Sequence, residues 1–441
     1  MNKTRYALVG TGSRSHMYIK AAAYTYRENS EFVAMCDTNL LRMDYYNREL
    51  ASDSHGNHPP VPAYKAEDFE KMIRETRPDV IILTMPDCYH HLYGCRAMEL
   101  GCDVISEKPM TIDPAKCQMI IDTQKKTGRR YTVTFNYRYS PRNSKIKELL
   151  QQNVIGKVTS VNFEWLLDTS HGADYFRRWH RDKKNSGGLM VHKATHHFDL
   201  VNWWLDSTPE TVFAMGELAF YGKKNAEERG LKSSYFRAKG SEEAASDPFA
   251  LHITPGDRLD QLYFRTEAGD GYIRDLNVFG EGITIEDNMS VMVRYKNRVM
   301  MNYTLCAHCP HEGYRIVFNG TEGRLEFNVV ESGFTRPGED MSVFGMREYN
   351  DDSDMRKNMI PEIILQKHWQ KPEVITYTAG TGGHSGGDRL LLDHLFLGVK
   401  DDPLHLAADF RDGAQSILVG IGANIAFTSG EPVKVQELIK F

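Results

Sequence analysis

The chain lacks any apolar run near the roughly 20 residues that a membrane-spanning helix needs, so no span is expected in its 441 residues. Its opening, Met1-Asn2-Lys3-Thr4-Arg5, leads straight into Tyr6-Ala7-Leu8-Val9 without an apolar core and a small-residue cleavage site, so no secretory leader is expected. Cysteine is scarce and odd in number, seven residues, in a chain too large to need stapling. That excludes a disulfide framework and points to a reducing cytoplasm. An excess of one charge is also missing: Lys+Arg 54 against Asp+Glu 59 leaves a net −5, with no basic field to hold nucleic acid or an anionic membrane. Cys306-Ala307-His308-Cys309 has no second C-x-x-C to complete a zinc site and reads as a turn between strands. The glycines of Gly380–Asp388 lack a Walker lysine, so they read as a tight loop with Asp388 capping the next helix. The expected partner is a small molecule, and no metal is expected.

Hydrophobic residues make up 41% and charged residues 26%, as in ordinary globular proteins, and the length suggests two or three domains. The first third alternates apolar runs, Tyr6–Val9, Glu31–Cys36, Val80–Thr84, Asp103–Ser106 and Tyr131–Phe135, with helical stretches such as Tyr89–Leu100 and Pro114–Thr127. Asp113 is placed to cap the second of these, with Pro114 at its first position. Such alternation predicts βαβ units and a parallel sheet over residues 1–135. After about residue 140 the runs lengthen and alternate with polar residues, as in Val158–Leu166, Ser290–Arg294, Arg298–Leu305, Tyr314–Asn319 and Arg324–Asn328. They predict an α+β domain over residues 136–441, built on a large, mostly antiparallel open sheet. The polar stretch 222–271 reads as an excursion from that sheet, and Leu404–Ser429 as a C-terminal helix. An open sheet with an apolar face predicts a homodimer or homotetramer joined through it.

Gly10-Thr11-Gly12-Ser13-Arg14-Ser15 follows the first strand and opens a helix, so its backbone can approach a pyrophosphate. Ser15 replaces the third glycine of the dinucleotide fingerprint, but Asp37 stands at the end of the second strand, where a carboxylate bonds ribose hydroxyls and repels a 2′-phosphate. NAD is therefore expected over NADP, although Arg42 lies one turn onward.

Thr84-Met85-Pro86-Asp87-Cys88-Tyr89-His90, Gly101, and Val104-Ile105-Ser106-Glu107-Lys108-Pro109 resemble motifs of the Gfo/Idh/MocA oxidoreductases. The resemblance continues through Asn136-Tyr137-Arg138, Gly187-Gly188, His196, the turn Gly320–Glu326 and Gly383–Asp388. It implies a Rossmann domain, a second domain on a large open sheet, and an active site between them. It also implies that Gly10, Gly12, Ser13, Arg14, Asp37, Thr84, Pro86, His90, Glu107, Lys108 and Asn136 face the cofactor, and that Arg138, Lys193 and His384 approach the substrate.

Oxidising a secondary alcohol needs a hydride acceptor, a base, and a donor to hold the forming carbonyl oxygen. Lys108 fits the donor. The helical pattern Gly188–Leu205 puts Ala194, Phe198, Val201 and Leu205 on a core stripe and His192, Thr195, His196 and Asp199 on a polar face expected to line a cleft. The resemblance implies that His196 is the active-site base. Many relatives carry an acidic residue four positions earlier, where this chain has His192, so a carboxylate partner is missing from that position and His192 is expected to join the catalytic group by positioning a substrate hydroxyl. His192 and His196 also have the spacing of a zinc helix, but Lys193 stands where a zinc protease carries its catalytic Glu. The basic and aromatic stretch Arg177–Lys184 reads as a substrate loop, with Trp179 stacking on a sugar while His180 and Arg181 bond its hydroxyls or an acidic group. The expected activity is NAD-dependent oxidation of a sugar, glycoside or cyclic polyol. The alternative is a redox-neutral cleavage through a transient keto-sugar.

Overall fold

The computed structural model describes residues 3–52, 58–335, 362–378, 380, 386–399 and 401–441; His384 and most of Gly380–Ser385 lie outside them. The first sheet comprises β1 (Thr4–Val9), β2 (Ser30–Asp37), β3 (Ala63–Lys65), β4 (Val80–Leu83), β5 (Asp103–Ser106) and β6 (Tyr131–Val133). All its ladders are parallel and its order is β3-β2-β1-β4-β5-β6. The order reverses between β1 and β4, the switch point at which doubly wound sheets open a crevice. The helix Pro114–Thr127 begins as expected, with the Asp113 carboxylate accepting from Lys116 N at 2.9 Å.

The second sheet comprises β7 (Val158–Asp168), β8 (Pro209–Glu217), β9 (Asn288–Tyr295), β10 (Met300–Cys309), β11 (Glu312–Gly320), β12 (Gly323–Ser332), β13 (Ile363–Lys367), β14 (Glu373–Ile375) and β15 (Val433–Lys434). Its order is β14-β13-β12-β11-β7-β10-β9-β8-β15, antiparallel throughout except for β7 beside β10. Its period-two alternation buries Phe163, Trp165, Val291, Met301, Tyr303 and Ile316 on one face. The other face is less apolar than expected. Asn162, Glu164, Ser290, Arg294, Asn302 and Thr304 lie there beside exposed Met215, Met292 and Met300. Cys306–Cys309 is not a turn but the end of β10, where the register with β7 shifts.

One helix joins the two halves. It runs Phe410–Ser429, starting later than the pattern from Leu404 suggests, because Asp409 forms a capping box with Asp412. Gly420 is required there: a Cβ would sit 2.3 Å from the Met190 carbonyl oxygen, so the glycine lets this helix seat the short helix Leu189–His192. The predicted helix Gly188–Leu205 is in fact two, Leu189–His192 and Thr195–Leu205, with Lys193 and Ala194 between them. Among the described residues, no helix is long and apolar enough to cross a membrane.

Candidate active site

The turn after β1 sits at the switch point. Gly10 has φ +92°, and a Cβ there would lie 2.4 Å from Met85 N, so only glycine allows β1 and the end of β4 to approach this closely. Thr84 Oγ1 donates to the Gly10 carbonyl at 2.5 Å. Asp37 ends β2, accepting from Thr11 N at 2.5 Å, Thr11 Oγ1 at 2.8 Å and Asn39 N at 2.8 Å. Gly12, Ser13 and Arg14 remain partly open to the crevice. A narrow glycine turn at the switch point, with a fixed carboxylate at the neighbouring strand end, fits a dinucleotide.

Glu107 and Lys108 follow β5 into the same crevice. The buried Glu107 carboxylate accepts from Arg14 Nε at 2.6 Å and Tyr18 Oη at 2.7 Å. Burial alone would raise its pKa, but the Arg14 and Lys108 charges bring it below its ordinary value. Lys108 Nζ donates to the His192 carbonyl oxygen at 3.2 Å, across the two domains. Burial pushes the Lys108 ammonium down to about 8, with Asp87 and Glu107 opposing the shift.

The missing carboxylate comes from elsewhere in the chain. Asp87, just past β4, places Oδ2 2.5 Å from His192 Nδ1. Both side chains are buried. Burial pushes the Asp87 carboxyl well above the usual carboxylate range against the pull of the Lys108 ammonium. Burial, then the charges of Lys108, His180, Arg178 and Lys193, hold His192 well below its ordinary value. Both directions disfavour an imidazolium in the resting site, so His192 enters as a neutral ring whose Nδ1 is engaged by Asp87. Aromatic rings fence it: His180 at 4.2 Å, Tyr175 at 5.6 Å and Trp179 at 5.7 Å between centroids, all edge-on. Trp179 stacks on His180 at 3.6 Å.

His196 lies deeper, its ring 4.6 Å from Tyr137 and 6.0 Å from Phe135. Lys193 is buried with its ammonium 4.9 Å above the Trp165 ring. Beside this group, the helix Thr169–Arg177 is capped by Asp168, and it presents His171, whose Nδ1 lies 2.9 Å from Glu312 and whose Nε2 lies 3.1 Å from Tyr175 Oη.

Several expected site residues are engaged elsewhere. Arg138 is buried against Asp199, with bonds of 2.8 and 2.5 Å, and also reaches the His405 carbonyl oxygen, so its guanidinium is engaged in fastening helices. That pairing removes Asp199 from the expected cleft face, and Thr195 leaves it too, bonded to Ser416 at 2.9 Å. Of the four polar positions only the two histidines stay beside the aromatic and cationic groups described above. The break at Lys193–Ala194 defeats the helical spacing. His90 is fully buried, its two ring nitrogens 2.8 Å from the Pro109 carbonyl oxygen and 3.0 Å from that of Met85, so both are engaged in tying two strand ends together. Asn136 is buried and donates to Asp388 at 2.6 Å. Asp388 therefore does not cap the helix Gly387–Leu397, whose N-terminus has no side-chain cap. Arg181 is tied to the Asn277 and Glu281 carbonyl oxygens, and His180 serves as a buried wall. Asp87 carried a weak signal that sequence reasoning passed over: a carboxylate directly after Thr84-Met85-Pro86, at the mouth of the parallel sheet. Tyr175 and Glu312 carried none.

A parallel dinucleotide fold facing a buried acid, imidazole and lysine across a domain boundary defines a nicotinamide-dependent oxidoreductase. The chain belongs to the Gfo/Idh/MocA family: residues 4–135 match its NAD-binding Rossmann fold and residues 147–435 its C-terminal alpha/beta domain. It is 34% identical to YteT of Bacillus subtilis (strain 168), which carries an oxidoreductase designation, over 98% of this chain and 97% of that one. It is 27% identical to D-glucoside 3-dehydrogenase of Escherichia coli (strain K12), over 35% of this chain and 41% of that one. The fold is shared with the WlbA dehydrogenase from Bordetella pertussis, solved with NADH and UDP-GlcNAcA. The TM-score is 0.61 at 17% identity, covering 98% of this chain and 99% of that one.

Proposed function

We propose that the protein transfers a hydride between NAD and a secondary hydroxyl or ketone of a sugar, glycoside or cyclic polyol. The observation that carries this reading is the 2.5 Å contact between Asp87 of the first domain and His192 of the second, beside the Lys108 ammonium. A dinucleotide held by the Gly10–Arg14 turn and Asp37 would supply the hydride acceptor for the carbinol carbon. His192 Nε2 receives the hydroxyl proton while Asp87 stabilises the imidazolium that forms. Lys108 donates to the same oxygen as it becomes a carbonyl. His196, against Tyr137, offers a second imidazole to the same wall of the site. Trp179 offers a ring face to the sugar, and Lys193 a donor to its hydroxyls. The partial likeness to a glucoside dehydrogenase supports the substrate class, and Asp37 supports NAD over NADP.

The deciding experiment incubates the purified protein with NAD and a panel of sugars, glycosides and cyclic polyols, following NADH absorbance and product mass together. The expected result is NADH in step with a product lighter by two hydrogens. Release of an aglycone without net NADH would replace this reading with redox-neutral cleavage.

We further propose a cytoplasmic homodimer or homotetramer joined through the outer face of the second sheet. Met215, Met292 and Met300 are 70%, 59% and 61% exposed there. Light scattering at micromolar concentration should give the mass of two or four chains. Replacing the three methionines with glutamate should shift it toward one.

A further inference from the structure

The excursion between β8 and β9 does not stay with its own domain. Its stretch Asp257–Tyr272 crosses to the Rossmann domain and buries Leu259, Leu262 and Tyr263 in that domain's core. Polar bonds fix it there. Asn39 Nδ2 donates to the Thr266 carbonyl oxygen at 2.9 Å, and Arg42 Nε to that of Leu262 at 3.2 Å. Two of its contacts fall on groups a dinucleotide needs. The Tyr263 hydroxyl oxygen accepts from Ser13 N at 2.9 Å, and it lies 3.6 Å from where a Cβ of Gly12 would be. Asp270 accepts from Arg42 Nη2 at 2.6 Å, while Arg42 Nη1 lies 3.9 Å from Asp37. The guanidinium is also covered by the Tyr263 and Tyr272 rings at 5.5 and 5.8 Å.

Each contact has a chemical consequence. The N–H groups of the glycine turn are the donors that hold a diphosphate, and one of them already holds an oxygen of this segment. A phenol both accepts and donates, so when a diphosphate oxygen takes the Ser13 N–H, the Tyr263 hydroxyl can turn and donate to that diphosphate. Arg42 is the cation placed to receive a 2′-phosphate. With Asp37 and Asp270 both on it, two carboxylates face one guanidinium, and the ribose end carries a net negative charge that rejects a 2′-phosphate.

We propose that Asp257–Tyr272 of the second domain forms the outer half of the dinucleotide site. In it Tyr263 holds a diphosphate position, closing the cofactor in, and Asp270 acts with Asp37 to select NAD over NADP. This rests on the reading of the crevice as an NAD site. Selectivity is thus shared between a residue at the end of β2 and one more than 200 positions away, and cofactor exchange requires the segment to move.

The test uses the full-length protein, with NADH and NADPH titrated by nicotinamide fluorescence and exchange followed by stopped flow. Asp270→Asn keeps shape and removes charge; Tyr263→Phe keeps the ring and removes the hydroxyl. Wild type should bind NADH at least tenfold tighter than NADPH. Asp270→Asn should narrow that preference tenfold or more, chiefly through tighter NADPH binding. Tyr263→Phe should speed both association and release of NADH at least threefold. A wild type that prefers NADH, with an unchanged preference in Asp270→Asn or unchanged exchange rates in Tyr263→Phe, would overturn the inference while leaving the NAD reading standing. A wild type that prefers NADPH would instead remove the reading of Asp37 on which it rests.

Discussion

Lys108→Ala should lower turnover by about 10²–10⁴ while leaving NAD affinity within a few-fold, because removing an oxygen-stabilising donor costs that much in typical active sites. In the proposed reaction the lysine meets the reacting oxygen, whereas the adenosine end would be held at the glycine turn and Asp37. Its titration adds a second readout. Burial has brought the ammonium down to about 8, and the role requires the protonated form, so kcat/KM for oxidation should fall as pH rises through that region. The falling limb should disappear in Lys108→Ala. Retention of both full turnover and the limb would exclude Lys108 as the donor.

His192→Ala should cost about 10²–10⁴ in kcat, the typical worth of a general base, and should cost more than His196→Ala. The two histidines are chemically alike, but the Asp87 carboxylate lies at the Nδ1 of His192, where in the proposed reaction it fixes the tautomer and stabilises the charge that develops. Asp87 works through the ring, so Asp87→Asn should keep substrate KM and NAD affinity near wild type while kcat falls about 10²-fold or more. The pH profile separates this from simple loss of packing. Without the carboxylate, His192 becomes a weaker base, and the rising limb of the oxidation profile should move to lower pH as the plateau falls. If His196→Ala were inactive and His192→Ala active, the base would be His196, the assignment that family resemblance implies.

Local rules written into the sequence determined much of this protein. The apolar runs without polar alternation became β1, β2, β4, β5 and β6, buried on both faces, and period-two runs became the half-exposed strands of the second sheet. Gly10, Asp37 and the Asp113 cap were readable because each acts within its own turn or strand end. Only tertiary structure decided the rest. Whether a polar residue on a helix reaches a cleft depends on what the next element offers it. Asp199 found Arg138 and Thr195 found Ser416, while a helix break at Lys193 set His192 apart from His196. The carboxylate that local spacing denied to His192 arrived from Asp87, 105 positions earlier. Likewise Tyr263 and Asp270 reach the glycine turn and Arg42 from a segment whose composition marked only an excursion from a sheet. Such partnerships are set by where two domains and a crossing segment come to rest, and no periodicity within a window of the chain encodes that.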